Sequence, residues 1–274
     1  MRLNAVLRRW TARGRRGAPY AQAVDVPEAL AILAAGLAAG TINTVVGSGS
    51  LITFPVLLAF GYAPVTANVS NNVGLVPGSI SGSIGYRREL RGQRGRALWL
   101  GRASLVGGLL GAGLLLALPT SWFEAIVPVF IALALLLVVL QPRLAAALAR
   151  RQGEPHEHGG RLGLAGVFGA GVYGGYFGAA QGILLLAILG LTVDDDLQRI
   201  NGLKNVLAVI VNGVAAVVFL LVADVAWAPA ALIAVGSIAG GQLGARYGRR
   251  LPPAALRAVI VAVGLTAIVV LLTG

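Results

Sequence analysis

The 274-residue sequence predicts an all-α polytopic membrane protein made of two homologous repeats, inverted relative to each other. Each repeat is expected to hold four long transmembrane helices and one short broken or re-entrant segment. Three observations lead there. Residues of the AVILMFWYC set make up 57% of the chain and charged residues only 12%, with a mean hydropathy of +0.82. So few charges cannot coat a soluble globule, and so much apolar surface is foreign to a disordered chain. Apolar runs of spanning length recur along the sequence. A pattern of small and polar residues appears twice, Asn68 recurring as Asn201 at an offset of 133.

The segments follow in order. Residues 1–27 form a basic tail with Arg2, Arg8, Arg9, Arg13, Arg15 and Arg16. A basic start before an apolar stretch resembles a secretory signal, but the apolar content continues far beyond one such stretch. The first repeat, 28–140, opens with a span at 28–46. Residues 48–60 are apolar but too short to cross about 30 Å of hydrocarbon as a helix. Residues 66–86 are apolar with a polar stripe, and 97–118 and 122–140 are plain spans. A hydrophilic linker, 141–160, precedes the second repeat, 161–274. There the order returns: 161–178, a short segment 182–191, a striped span 200–223, then 226–245 and 253–272.

The repeat is visible residue by residue. The run Asn68-Val69-Ser70-Asn71-Asn72-Val73 aligns with Asn201-Gly202-Leu203-Lys204-Asn205-Val206. At the same offset Gly49 aligns with Gly182, Ser79 with Asn212 and Pro119 with Pro252. Gly107 and Gly111 align with Gly236 and Gly240 after a small gap. Duplicated halves with paired short segments are a transporter architecture, with the binding site where the halves meet.

Net charge is +12, and Lys204 is the only lysine. The arginines cluster between apolar runs, which writes membrane topology and excludes nucleic acid as a partner. The clusters are 87–96, 143–161 and 246–257. If each short segment completes a second crossing or a re-entrant hairpin, the halves are inverted and all three clusters share one side. The basic N-terminus then lies opposite. If the first half crosses only four times, the N-terminus joins the arginine side but the halves lose their equivalence. The inverted arrangement is preferred and the side of the N-terminus is open. Zero cysteines exclude disulfides and thiolate metal sites. Heavy use of Ala, Gly and Arg with one Lys fits a GC-rich bacterial genome.

The striped segments carry the first candidate site. Asn68, Asn72, Leu75 and Ser79 share one helical face, and Asn201, Asn205, Ala208 and Asn212 share the matching one. Asparagine in hydrocarbon must be paired, so each stripe faces another helix or a polar site; the duplication favours a site. Lys204 reads either as an ammonium facing a central cavity or as a snorkelling chain near a helix start. Arg102 reads as snorkelling.

The broken segments carry the second. The stretch from Gly40 to Ser50 contains Asn43, Ser48 and Gly49; its partner from Gly174 ends in Gln181 and Gly182. Glycines let a helix break, and the short helix that follows each break would offer N–H groups to an oxyanion. No Gly-Lys-Ser/Thr follows, so neither is a phosphate loop. The Gly-x-x-x-Gly pairs read as helix packing. His156-Glu157-His158 reads as solvated linker rather than a metal site. Asp194-Asp195-Asp196 reads as a solvated loop with an N-cap. No catalytic constellation appears, so the expectation is a non-enzyme without cofactor or metal.

These residues resemble a known family. Gly47-Ser48-Gly49-Ser50-Leu51-Ile52-Thr53-Phe54-Pro55, followed by Ala67-Asn68-Val69-Ser70-Asn71-Asn72, is similar to the sulfite exporter TauE/SafE family of membrane permeases. Arg199-Ile200-Asn201-Gly202-Leu203-Lys204-Asn205 resembles that family's second repeat. The resemblance covers about 29–272. It implies a bacterial inner-membrane exporter of sulfite, sulfonates or related organosulfur anions. Such proteins often carry three consecutive glycines where this chain has Gly47-Ser48-Gly49-Ser50, so the substrate does not carry over.

The expected function is secondary transport of a small anion by alternating access, with Asn68, Asn72, Asn201, Asn205 and Lys204 contacting the substrate. A channel-like pore and a non-transporting membrane scaffold are the rivals. The partners are a small anion and the lipid bilayer, with a homodimer left open.

Overall fold

The computed structural model describes residues 24–149, 159–248 and 253–273. The tail residues 1–23 and the His156-Glu157-His158 run lie outside the described residues. Among the described residues there are ten α-helices and no strands. They are α1 (Val26–Val45), α2 (Ser50–Ala59), α3 (Pro64–Gly85), α4 (Arg94–Ala117), α5 (Thr120–Ala149), α6 (Gly160–Tyr176), α7 (Gln181–Thr192), α8 (Leu197–Val222), α9 (Trp227–Tyr247) and α10 (Pro253–Thr273). Five of them, α1, α4, α5, α8 and α9, are long and apolar enough to cross a bilayer. The short helices fall where the short apolar runs predict them. α5 continues to Ala149, nine residues past the boundary read from sequence, because Leu144, Ala145, Ala146, Ala147 and Leu148 are good helix formers.

Local chemistry sets the ends. Asp25 caps α1 by accepting from Glu28 N–H at 2.8 Å, and Asp196 caps α8 by accepting from Gln198 N–H at 2.8 Å. Pro64 opens α3, where its missing N–H is harmless. α1 and α6 stop in the same way. Val46 and Gly47 N–H both donate to Ile42 O, and Phe177 and Gly178 N–H both donate to Tyr173 O. Gly47 and Gly178 then take φ of 87° and 79°, the left-handed region that ends a helix. The equivalent glycines are thus Gly47 and Gly178, an offset of 131, and not Gly49 and Gly182. The register reaches 133 in the striped helices because α7 has 12 residues and α2 has 10.

Each short helix folds back along the helix before it. Tyr62, just past α2, donates to Glu28 near the start of α1 at 2.9 Å. Thr192, the last residue of α7, lies against Gly159 and Gly163 at the start of α6. Both pairs are hairpins that return to the level at which they began.

The halves interlock reciprocally. α1 packs along α9 and α6 along α4; α3 packs on α9 and α8 on α4; α3 and α8 pack on each other. Glycine makes the first two seams. A Cβ on Gly236 or Gly240 would strike the α1 backbone at Leu33, Leu37 and Thr41, and one on Gly107 or Gly111 would strike the α6 backbone at Phe168 and Val172. These are the predicted Gly-x-x-x-Gly pairs. Leu105, Leu109, Val129, Leu136 and Val139 face outward, as a lipid-solvated surface requires.

Gly111→Ala is therefore expected to destabilise the protein by about 1–3 kcal/mol through overpacking of the α4–α6 seam. A Cβ added at Gly113 would meet nothing within 4 Å, so Gly113→Ala should be neutral or raise stability by up to about 1 kcal/mol. Thermal unfolding of the two variants in one detergent reads the difference.

Candidate functional site

The two breaks meet inside the bundle. Gly182 N–H, in the first turn of α7, donates to Gly47 O at 3.0 Å, and the two glycines touch backbone to backbone. The N–H of Gly182 is thereby engaged, which corrects the expectation that it is offered to a ligand. Gly49 packs against Ala39 O and the Asn43 side chain, so its glycine identity serves close approach.

Around this crossing, each striped helix reaches into the other half. Asn68 Nδ2 of α3 donates to Tyr176 O, the last carbonyl of α6, at 3.0 Å. From α8, Asn201 Nδ2 and Asn205 Nδ2 donate to Thr44 O of α1 at 3.4 and 3.3 Å. Lys204 Nζ donates to Asn43 O and Thr44 O, each at 3.4 Å. The matched asparagines thus cover the carbonyls that a helix C-terminus leaves open. Asn201 Nδ2 also donates to Tyr86 Oη at 2.9 Å, and Asn43 Nδ2 to Ser79 Oγ at 3.1 Å. The stripes themselves meet where Asn72 Nδ2 donates to Asn212 Oδ1 at 3.4 Å.

Lys204 is 1% exposed, so the snorkelling alternative fails. Among the described residues it has no carboxylate in ion-pair reach. Its two carbonyl contacts are long for hydrogen bonds, and an ammonium buried with so little compensation is held at a cost. Four of the sequence-selected residues carry buried polar atoms without a protein partner: Ser48 Oγ, Asn72 Oδ1, Gln181 Nε2 and Asn201 Oδ1.

Asn43, Asn201, Lys204 and Asn205 converge on the end of α1. Asn68 sits at the matching end of α6, and Asn72 lies between. Sequence reasoning passed over Asn71, whose Nδ2 donates to Ser50 Oγ at 3.2 Å and whose Oδ1 accepts from Thr53 Oγ1. Its signal was present, since Asn71 occupies the repeat position of Lys204. Tyr86, whose Oη accepts from Asn201 Nδ2, was also passed over.

Asp195 is not simply solvated. Its Oδ2 accepts from Arg96 Nη1 at 2.8 Å and its Oδ1 from Arg199 Nε at 2.7 Å. It ties the start of α4 to the start of α8, and Gln93 adds a bond to Arg199 O. Burial raises its carboxyl pKa, but the hydrogen bonds from Arg96 and Arg199 outweigh this and hold it below the ordinary value.

Comparison with known proteins identifies the family. A family model described as sulfite exporter TauE/SafE matches residues 32–271. The chain belongs to that family. It is 27% identical over 209 residues to YfcA of Escherichia coli K12, named a probable membrane transporter protein, covering 76% of each chain. It is 28% identical to a probable membrane transporter protein of Haemophilus influenzae, covering 79% of this chain and 84% of that one. It is 26% identical to the protein ORF9 of a Sinorhizobium species, so named as well, covering 79% and 81%. No solved structure matches.

Because the folded-state pKa of Asp195 is depressed, its stabilisation is present above the unfolded value of about 3.9 and lost as pH falls through the folded value. Asp195→Asn should melt below wild type at neutral pH, and the gap should close under acid. A gap of equal size at all pH values would contradict the charge contribution.

Proposed function

We propose that this TauE/SafE family member is a secondary transporter of a small oxyanion of the sulfite or sulfonate class, working by alternating access in a bacterial inner membrane. The observation that carries the proposal is Lys204: a lysine buried against the broken end of α1, among amide donors, with no carboxylate within ion-pair reach among the described residues. A small anion supplies the charge it lacks. The family's description and its relatives' names support transport.

The halves are read as an inverted repeat. The α1–α2 hairpin returns to the side where Glu28 and Tyr62 meet, and α3, α4 and α5 then carry the chain to the opposite side. The second half starts there, with its own hairpin closing at Thr192 and Gly163. Arginines 87–96, 143–161 and 246–257 then share one side, which the positive-inside rule makes cytoplasmic. The rule is set aside for the basic tail. Reciprocal capping across the halves gives such a carrier its two related states: a rocking of one half on the other exchanges which break is exposed.

Asn201, Lys204 and Asn205 are assigned to the anion, with Asn68, Asn72, Asn43, Ser48 and Gln181 around it and Gly49 and Gly182 permitting the approach. Lys204→Met keeps the volume and removes the charge. It is expected to lower sulfite or sulfonate uptake into proteoliposomes by at least about 100-fold, as loss of a desolvated charge-assisted contact does. Asn205→Ala should lower it less. Undiminished saturable flux in both variants would remove the site assignment, while non-saturating conductance in wild type would replace the carrier with a pore.

A further inference from the structure

The parallel pair α4 and α6 has a second feature, on its outward flank. The pair is in register, Gly107 against Gly171 and Gly111 against Gly175. Toward the starts of both helices, their flanks open into a groove of about 490 Å³. It is lined by Arg102 of α4 and Arg161 of α6 together with Val106, Leu164 and Phe168. The Arg102 guanidinium lies over the Trp99 ring, 4.8 Å from its centroid. Both arginines are exposed, and among the described residues neither is paired with a carboxylate.

The groove sits at the arginine-rich end of the bundle, where Arg94 and Arg96 open α4 and Arg161 opens α6. In the matched pair α1 and α9, Gly240 meets Leu37 and Thr41 as Gly107 meets Phe168 and Val172. There the positions of Arg161 and Arg102, at offsets of 131 and 133, are held by Leu30 and Val235. Close packing of such a pair therefore does not call for arginines, and those of the α4–α6 groove need another explanation. Two unpaired guanidiniums beside apolar side chains in one groove suit the two parts of a phospholipid: phosphate at the arginines, acyl chain along the apolar lining. Arginine presents a planar donor fork that matches phosphate oxygens, and stacking on Trp99 fixes one fork in place.

We propose that this groove is a binding site for one anionic phospholipid, its phosphate bridging Arg102 and Arg161 and an acyl chain lying against Val106, Leu164 and Phe168. The site is separate from the break crossing.

The test uses the purified full chain in detergent, titrated with phosphatidylglycerol or phosphatidylcholine and read by native mass spectrometry and thermal unfolding. Phosphatidylglycerol is expected to bind and to raise the melting temperature, phosphatidylcholine to do so far less. In the Arg102→Gln/Arg161→Gln double variant the phosphatidylglycerol affinity should fall about tenfold or more. Arg102→Lys keeps the charge and loses the fork, and should give an intermediate loss. Arg143→Gln, a cluster arginine outside the groove, should bind as wild type does. Equal binding of the two lipids, an unchanged affinity in a folded double variant, or equal stabilisation by inorganic phosphate alone would overturn the proposal.

Discussion

A helix interrupted inside hydrocarbon exposes its last carbonyls where no water can reach them, and every other feature of this bundle follows from meeting that demand. α1 and α6 each stop inside the bundle. Part of the need is met locally, by paired N–H donors onto Ile42 O and Tyr173 O. The remainder is met from outside, by side chains long enough to cross from another helix: Asn68 onto Tyr176 O, and Asn201, Lys204 and Asn205 onto Asn43 O and Thr44 O. Each break is completed by the opposite half. Neither half closes its own helix end, so the repeat can be folded only as an interlocked pair.

That interlock sets the requirement on the remaining helices. For α3 to reach the end of α6, and α8 the end of α1, the intervening helices must approach at backbone distance. Gly107 and Gly111 against α6, and Gly236 and Gly240 against α1, allow it. The seams made this way are tight and apolar, whereas the polar crossings beside them run at 3.3–3.4 Å around α1. The glycine seams are close-packed backbone to backbone, and the polar crossing is held by longer side-chain contacts.

The fold was largely legible because its causes are compositional and periodic. Membrane solvation shows in 57% apolar residues, helix length in the apolar runs, and the duplication in recurring asparagines and glycines. What the sequence could not show is which backbone atom a polar side chain satisfies. Asn68 and Asn201 read as a ladder facing a site, and they do point inward, yet their amides are occupied with carbonyls. Gly182 read as a ligand donor and is bonded to Gly47 O, because two breaks that cross must satisfy each other first. Asp195 read as loop solvent and is a clasp between α4 and α8, because its partner Arg96 lies 99 residues earlier in the chain. Pairings of that range carry no local signature.

The repeat is most informative where it fails. At the position equivalent to Lys204 the first half carries Asn71, which turns back to its own short helix through Ser50 and Thr53. A strictly symmetric protein would place two ammoniums, or none, beside its two helix ends. Two would repel and would each require desolvation. None would leave only amide and backbone donors for an anion. One lysine places a single amine next to the negative end of the α1 dipole, which favours its charged form without the full neutralisation a carboxylate would bring. A carboxylate at that place would close the proposed site to an anion. The carbonyl end of a helix is the weaker partner that leaves the charge available.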